Sequence, residues 1–176
     1  MKLLAIDTAL GACQAVVTDG EAVLAVRSEL MHRGQQERLG PMVAELMREA
    51  NLGFGDLDRI GVTAGPGSFT GLRVGLAFAK GLALARALPC VGVGALDALA
   101  ATADAGRLLE AFAFAARLVL VGSGAPLVAA FRPEAEVLPL AAPDPVALAR
   151  LAAAAPEGEG PPRPIYLRAP DARLPS

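Results

Sequence analysis

The side chains that commonly carry out catalysis are scarce in this sequence. His32 is its single histidine. It stands beside Arg33 and Gly34 in a predicted loop, where no partner for a general base can be named. We interpret it as an exposed surface residue. The sequence shows no Ser-His-Asp set, no Cys-His pair and no histidine pair for a metal ion, so no catalytic residue and no metal site are predicted.

The best-placed carboxylate is Asp7, which is followed by Thr8 at the end of the first predicted strand. This carboxylate could orient a metal-bound nucleotide. It could equally hydrogen-bond the adjacent turn, through Thr8 and the backbone N–H groups. We favour the second interpretation.

A glycine-rich segment, GPGSFTG, connects a predicted strand to a predicted helix. It is not a P-loop, because no Gly-Lys follows, and Gly65, Gly67 and Gly71 are spaced one residue too widely for the dinucleotide fingerprint. Backbone N–H groups at the start of the helix could still attract an anion. We favour a structural role for this glycine loop, in which the glycines allow a tight turn and Ser68 or Thr70 caps the helix.

Hydrophobic patterning around these residues predicts an α/β fold with a mixed sheet. Three strands joined by tight turns come first, and Asp19-Gly20 is a strong hairpin signal. Helix, strand, helix and strand then alternate. We predict strands at 2–7, 12–17, 22–26, 58–64, 89–93 and 118–121, and helices at 36–51, 72–87, 95–103 and 145–155.

Proline marks two further features. Pro41 is either the first residue of the first helix or a kink near its start. Residues 156–164, PEGEGPPRP, cannot contribute to a core and are predicted to form an exposed, extended linker. Residues 165–167 then return as an edge segment or a docking tail.

The second predicted helix is apolar on every side, so it must be covered on every side. Only Arg73, Lys80 and Arg86 interrupt its apolar residues. Two stripes of glycine and alanine along it would let a neighbouring backbone approach closely. Either the first helix provides all of the cover, or the two helices present a shared face to another protein. The low fraction of charged residues, 19%, favours the second alternative.

The composition excludes several classes of protein. The formal net charge is −2, so binding of nucleic acid by this chain alone through phosphate neutralisation is not expected. Cys13 and Cys90 lack CxxC spacing and are interpreted as buried thiols in a reducing compartment. Neither a signal peptide nor a membrane span is predicted. The expected location is the cytoplasm.

Four segments together resemble the TsaB (YeaZ) family, a bacterial subunit of the machinery that makes threonylcarbamoyladenosine in tRNA. They are LLAIDTALGACQAVV, RGQQERLGPMV, GPGSFTGLRVGLAFAKGLALA and GVGALDALA. The resemblance implies an actin/Hsp70/sugar-kinase (ASKHA) fold, with a complete first lobe at 1–97. We expect a reduced second lobe at 98–155, because ATADAGRLLEAFAFAARLVL replaces a DARRGEVY-like strand. An extended linker and C-terminal tail follow at 156–176.

In this fold a DxGT-like motif in the first hairpin normally holds nucleotide phosphates. The matching residues are Asp7, Thr8 and Ala9, and the Cβ of Ala9 would crowd the phosphate. The related catalytic subunit TsaD uses two histidines four residues apart as metal ligands, and the matching positions are Ala95 and Leu99. Since neither side chain can ligate a metal, the resemblance implies an inactive paralogue without a cofactor of its own. ATP and a divalent metal would belong to the partner subunits.

The implied function is that of a scaffold which binds and stabilises the TsaD-type catalytic subunit, in a complex that a TsaE-type ATPase joins. TsaD transfers a threonylcarbamoyl group to the adenosine beside the anticodon, and tRNA would meet this chain only indirectly. Two helices of the first lobe are the natural interface, and without TsaD they would pair with a second copy as a homodimer. The residues that we assign to this interface are Leu39, Met42, Val43, Leu46, Leu72, Gly75, Leu76 and Ala79.

Two other functions stay open. The first is a small nucleotide-dependent ATPase or kinase that uses Asp7 and the glycine loop, and ATP hydrolysis by the isolated chain would favour it. The second is a proteolytic function, which has been suggested for relatives. It ranks last because no nucleophile–base pair is visible in the sequence.

Overall fold

The computed structural model describes residues 1–107, 119–122, 124–158 and 160–167. Within them, a five-stranded sheet is covered by helices on both faces, and a small two-stranded sheet lies beside it. The strands are β1 (Lys2–Asp7), β2 (Ala12–Asp19), β3 (Ala22–Leu30), β4 (Arg59–Gly65), β5 (Cys90–Gly94), β6 (Val119–Val121) and β7 (Glu136–Leu138). The helices are α1 (Gln35–Glu49), α2 (Phe69–Arg86), α3 (Ala95–Arg107), α4 (Ala125–Ala129) and α5 (Pro145–Ala154).

The large sheet has the strand order β3-β2-β1-β4-β5. β1, β2 and β3 pair antiparallel, whereas β4 pairs parallel with both β1 and β5. This confirms the predicted opening meander and the predicted mixed sheet. β3 runs further than predicted, to Leu30, because Arg27 and Glu29 at its end form ion pairs with α1 that the alternation of apolar residues could not show.

Successive strand residues point to opposite faces of the sheet, and both faces are buried. In β1, Leu4 and Ile6 belong to the core beneath α1 and α2, whereas Leu3 and Ala5 belong to the core beneath α3 and α5. A strand covered on both faces is apolar throughout instead of alternating. This burial on both faces explains why β1 contains the uninterrupted apolar run LLAI.

An ion-pair cluster fixes α1 against β3. The Arg38 guanidinium donates to the carboxylates of both Glu29 and Glu45, and it holds the pKa of both carboxyl groups below the ordinary value. Arg27 pairs with Glu49 at the other end of the helix. Pro41 lies inside α1 on its exposed side, so it is not the first helical residue.

Helix α5 corrects the predicted boundary between the lobes. The prediction assigned it to a second lobe at 98–155, but it packs on the first-lobe sheet, against β1, β2, β4 and β5. Gly61 of β4 makes this possible, because a Cβ there would overlap the Cβ of Ala152. The Arg59 guanidinium donates to the carbonyl oxygens of Ala152, Ala153 and Ala155 at 2.9–3.2 Å, which places a positive charge at the carboxyl end of the helix.

The small sheet consists of β6 and β7, which pair parallel and flank α4. It is the part of the expected second lobe that stands apart from the main sheet. The segment 108–118, where the sequence departs from the family pattern, lies outside the described residues. None of the described helices has both the length and the apolar character that crossing a bilayer requires.

The two thiols differ in accessibility. Cys13 is buried, as predicted, whereas Cys90 is only partly buried because it lies on the edge strand β5. Desolvation raises the pKa of each thiol to about 11. Both are therefore thiols and not thiolates at neutral pH.

Candidate functional site

The carboxyl group of Asp7 is completely enclosed by the protein, with no exposed surface. The backbone N–H of Ala9 donates to its Oδ1 at 2.9 Å, and the amide of Gln14 donates to its Oδ2 at 3.1 Å. The adjacent turn thus supplies one of the bonds, as the favoured interpretation of Asp7 predicted. Neither oxygen faces solvent, where a nucleotide or a hydrated metal ion would have to approach.

Burial also disfavours the charged form of this group. Desolvation raises the pKa of the Asp7 carboxyl group above its ordinary value of 3.8, and this effect outweighs the hydrogen bonds from Ala9, Thr63 and Gln14. The Thr63 hydroxyl is close enough to lower the pKa, yet its buried oxygen makes no hydrogen bond of good geometry. No cationic side chain of the described residues offsets the charge, and an unpaired buried carboxylate is costly.

Gln14 links this carboxyl group to distant parts of the chain. Its amide also donates to the carbonyl oxygen of Pro143 at 2.7 Å, and its own oxygen accepts a hydrogen bond from Ser28 at 2.8 Å. A buried glutamine thus occupies the position beside Asp7 that a cation would need. Gln14 is not among the predicted site residues, although a single polar residue within the apolar run ACQAVV is a usable signal of a buried polar contact.

The glycine loop is bonded to the turn between β1 and β2. The N–H of Ser68 donates to the carbonyl oxygen of Ala9 at 2.7 Å, and the Thr8 hydroxyl donates to the carbonyl oxygen of Gly71 at 2.7 Å. Ser68 caps α2 by accepting from the N–H of Gly71 at 3.1 Å, which confirms one of the two predicted caps. Thr70 is exposed at the second helical position and is not the cap.

Three glycines make the close contact between these segments possible. A Cβ at Gly67 would overlap the carbonyl oxygen of Ala9, and one at Gly71 would overlap that of Thr8. A Cβ at Gly75, one turn further, would lie 2.7 Å from the Thr8 hydroxyl oxygen. The glycines thus let the start of α2 pack directly against the backbone of the β1–β2 turn, which agrees with the structural role favoured for the loop.

A cavity of about 960 Å³ opens between the main sheet and the small β6–β7 sheet. Ala9, Gly67 and Ser68 line one wall, and β6, α4 and β7 contribute apolar residues to the rest. Ala95 and Leu99, the positions that the resemblance assigns to the TsaD histidines, lie one turn apart on α3 and both line it. His32 is exposed, as predicted, and lies at the rim.

Among the described residues that line the cavity there is no carboxylate to hold the metal ion of a nucleotide. Asp7 is enclosed and already hydrogen bonded, and Ala95 and Leu99 offer no ligand atoms. In the part of the chain that the structure describes, no three His, Cys, Asp or Glu side chains converge to hold a metal ion. We derive no catalytic step through such a group.

The residues predicted to form a partner interface belong instead to the chain's own core, and that assignment is wrong. Each of the eight is buried, and no side chain among them is more than 3% exposed; they are Leu39, Met42, Val43, Leu46, Leu72, Gly75, Leu76 and Ala79. The physical reason is that they line the faces of α1 and α2 that pack on the sheet. The opposite side of α2 is nevertheless open to solvent, since Ala77, Gly81 and Leu84 are exposed, Leu84 by 86%.

Residues 160–167, which we call the C-terminal strap, return to the glycine loop. The N–H of Ile165 donates to the carbonyl oxygen of Ala64 at 2.7 Å, and the ring of Tyr166 contacts that of Phe69 with centroids 5.4 Å apart. A Cβ on Gly92 would lie 2.9 Å from the Cβ of Pro162, so the glycine leaves room for the strap to pack on β5. The linker is exposed for most of its described length. Residues 165–167 pack against the glycine loop as a docking tail, which is one of the two predicted alternatives. Residues 168–176 lie outside the described part.

The strand order, the parallel β1–β4–β5 core and the helices on both faces define an α/β protein of the actin/Hsp70/sugar-kinase type. A family model described as TsaD: tRNA N6-adenosine threonylcarbamoyltransferase matches residues 26–128, and the chain belongs to this family. The resemblance to TsaB (YeaZ) is also confirmed. The chain is 39% identical over 100 residues to the Escherichia coli tRNA threonylcarbamoyladenosine biosynthesis protein TsaB, covering 57% of this chain and 43% of that one.

Two further relatives are a threonylcarbamoyltransferase and a YeaZ protein of known structure. A tRNA N6-adenosine threonylcarbamoyltransferase of Cereibacter sphaeroides is 44% identical over 113 residues, covering 61% of this chain and 30% of that one. The solved structure of YeaZ from Pseudomonas aeruginosa superposes with a TM-score of 0.58 at 34% identity, covering 60% of this chain and 49% of that one. The chain thus spans between about a third and a half of the length of these relatives.

Proposed function

We propose that this chain is a non-catalytic subunit of the machinery that makes threonylcarbamoyladenosine in tRNA, and that it binds and stabilises a TsaD-type catalytic subunit. The observation that carries the proposal is the state of the nucleotide motif. Asp7 is enclosed, its oxygens are hydrogen bonded within the chain, and the glycine loop packs against the backbone of the β1–β2 turn. The fold is retained, whereas the groups that would handle a nucleotide serve internal contacts.

The surface that we propose for the catalytic subunit is the outer face of α1 and α2, hereafter the helix face. Several of its exposed residues are small or short, namely Pro41, Ala44, Ala77 and Gly81, and Arg48, Arg73 and Leu84 are the longer exposed side chains among them. Nothing lies within 4 Å of the Cβ position of Gly81. Small residues let a partner helix approach closely, and Leu84, 86% exposed, offers an apolar anchor.

The other proposed partners follow from this role. A TsaE-type ATPase would join the pair and bring its own ATP and divalent metal. Contact of this chain with tRNA would be indirect, since its net charge of −2 gives little attraction for phosphates. With this function the chain would act in the cytoplasm.

Co-elution with the cognate TsaD-type enzyme tests the proposal. We expect a heterodimer by size-exclusion chromatography with light scattering at low and moderate salt. Leu84→Glu should abolish it, because a charge would be desolvated at the anchor. Leu127→Glu is the matched control, since Leu127 is 75% exposed on α4, away from the helix face. Both variants should keep the wild-type melting temperature.

Two outcomes would contradict the proposal. One is the failure of the unaltered chains to associate at either salt concentration, or equal binding by Leu84→Glu and the wild type. The other is ATP hydrolysis by the isolated chain that disappears in Asp7→Ala, which would favour the alternative of a small ATPase or kinase.

A further inference from the structure

The outer side of α2 carries basic side chains and no acidic ones. Side chains that recur every three or four residues lie on one side of a helix, and Phe69, Arg73, Ala77, Lys80 and Leu84 follow this spacing. We call these five residues the α2 row. Lys80 is partly exposed and the other four are exposed. Two cations therefore stand within the row, with an apolar side chain at each end, although the whole chain has a net charge of −2.

Neither cation of the α2 row is neutralised by the described part of the chain. Arg73 and Lys80 form no ion pair with a described residue. On α1, by contrast, Arg38 pairs with both Glu29 and Glu45. The α2 row thus keeps two positive charges that a partner of opposite charge can meet.

Aromatic rings hold Arg73 in place. Its guanidinium carbon lies 3.9 Å from the centroid of the Phe69 ring, which is a cation–π contact. The Tyr166 ring of the C-terminal strap contacts the same Phe69 ring. A stacked guanidinium can still donate in its own plane, where a carboxylate accepts two parallel hydrogen bonds. Because the side chain is already ordered, less conformational entropy is lost when a partner binds.

The separation of the two cations determines the spacing of the anions that fit them. Arg73 and Lys80 are seven residues apart, which is two turns or about 10 Å along the helix axis. Two acidic side chains seven residues apart on a second helix have the same separation, so both can meet a cation when the helices run side by side. Ala77 lies between the cations and is too small to hold the two helices apart.

The apolar ends of the row favour a protein partner over RNA. Phe69 is 39% exposed and Leu84 is 86% exposed. Both gain from burial against apolar side chains, which a sugar-phosphate backbone does not supply. Binding of RNA through its phosphates also depends on many cations, and the row has two.

We propose that the α2 row binds an acidic helix of the catalytic subunit. Arg73 and Lys80 each pair with a carboxylate, and Phe69 and Leu84 pack on apolar side chains at either end. This inference rests on the proposed function, since it takes the helix face as the binding surface, and it adds the chemistry of the partner. Attraction between opposite charges speeds association, so the association rate constant should fall as salt screens the charges.

Charge variants test the proposal in surface plasmon resonance with the cognate TsaD-type enzyme. Arg73→Glu and Lys80→Glu should each raise the Kd about 30-fold or more. Lys80→Met keeps most of the side-chain length without the charge, so its Kd should lie between those of Lys80→Glu and the wild type. The matched control is Arg150→Glu, which should leave the Kd unchanged. Arg150 is exposed on α5, on the opposite face of the sheet from α2, and circular dichroism verifies that every variant is folded.

The outcomes separate this inference from the proposed function. Failure of the unaltered chain to bind the enzyme overturns both. Binding that Leu84→Glu abolishes, but that neither Arg73→Glu nor Lys80→Glu weakens, overturns the acidic partner alone, and so does a Kd for Lys80→Met equal to that of the wild type. Binding of tRNA by the isolated chain at low salt, lost in Arg73→Glu, would assign the row to RNA and overturn the proposal as well.

Discussion

Two glycines on the same helix should respond to the same substitution with opposite signs. Gly71 and Gly81 both belong to α2. A Cβ at Gly71 would overlap the carbonyl oxygen of Thr8 and lie 3.2 Å from the Oγ of Ser68, whereas a Cβ at Gly81 has no neighbour within 4 Å. The comparison isolates the contact between the glycine loop and the β1–β2 turn from the general helix preference of alanine.

The expected magnitudes differ clearly. At Gly81, alanine should raise the free energy of unfolding by about 1 kcal/mol through helix propensity. At Gly71 the Thr8 carbonyl group cannot turn away, because hydrogen bonds at Thr8 and Ala9 hold the turn in place. Overpacking of this kind costs about 1–3 kcal/mol, so Gly71→Ala should lower the melting temperature by roughly 2–12 °C and Gly81→Ala should raise it by roughly 2–4 °C.

Differential scanning calorimetry of the wild type and the two variants, at one protein concentration, measures this difference. A melting temperature for Gly71→Ala at or above that of the wild type would refute the close packing of the loop on the turn. The structural interpretation of the glycine loop would fail with it.

Three further predictions concern other parts of the fold. Arg59→Ala should destabilise the protein by about 1–2 kcal/mol, since it removes the charged cap of α5, and urea denaturation measures this. Folding raises the pKa of the Asp7 carboxyl group, so this group stabilises the fold fully below pH 3.8, and the stabilisation is lost as the pH rises through its folded-state pKa. The stability of Asp7→Asn should therefore increase relative to that of the wild type between pH 4 and 8, as measured by urea denaturation. Ile165→Pro, which removes the N–H bonded to Ala64, should make the strap a site of rapid limited proteolysis, whereas Leu167→Ala should not.

Much of the first lobe could be predicted from local signals. The hairpin at Asp19-Gly20, the apolar stripe of α1 and the strand–helix alternation each depend on neighbouring residues, and they placed the elements within a few positions. The structural role of the glycine loop was also accessible, because its spacing departs from the known phosphate-binding motifs.

The remaining features depend on contacts that are distant in sequence. α5 packs on the sheet because Gly61 is small and Arg59 caps it, and neither residue signals this locally. The interface assignment failed for a related reason. Apolar periodicity identifies the buried face of a helix, whereas the face that we propose for a partner is the opposite one, where the exposed residues of α2 include Ala77, Gly81 and Leu84.

Reconstitution of tRNA modification tests the central claim most directly. Purified chain, the cognate TsaD-type enzyme, the TsaE-type ATPase and threonylcarbamoyl adenylate would be combined with tRNA, and threonylcarbamoyladenosine would be measured by mass spectrometry of the nucleosides. We expect product only when the catalytic enzyme is present, and a yield that depends on this chain and is unchanged in Asp7→Ala. Product formed by this chain without the TsaD-type enzyme, or lost in Asp7→Ala while the variant stays folded, would contradict a non-catalytic role.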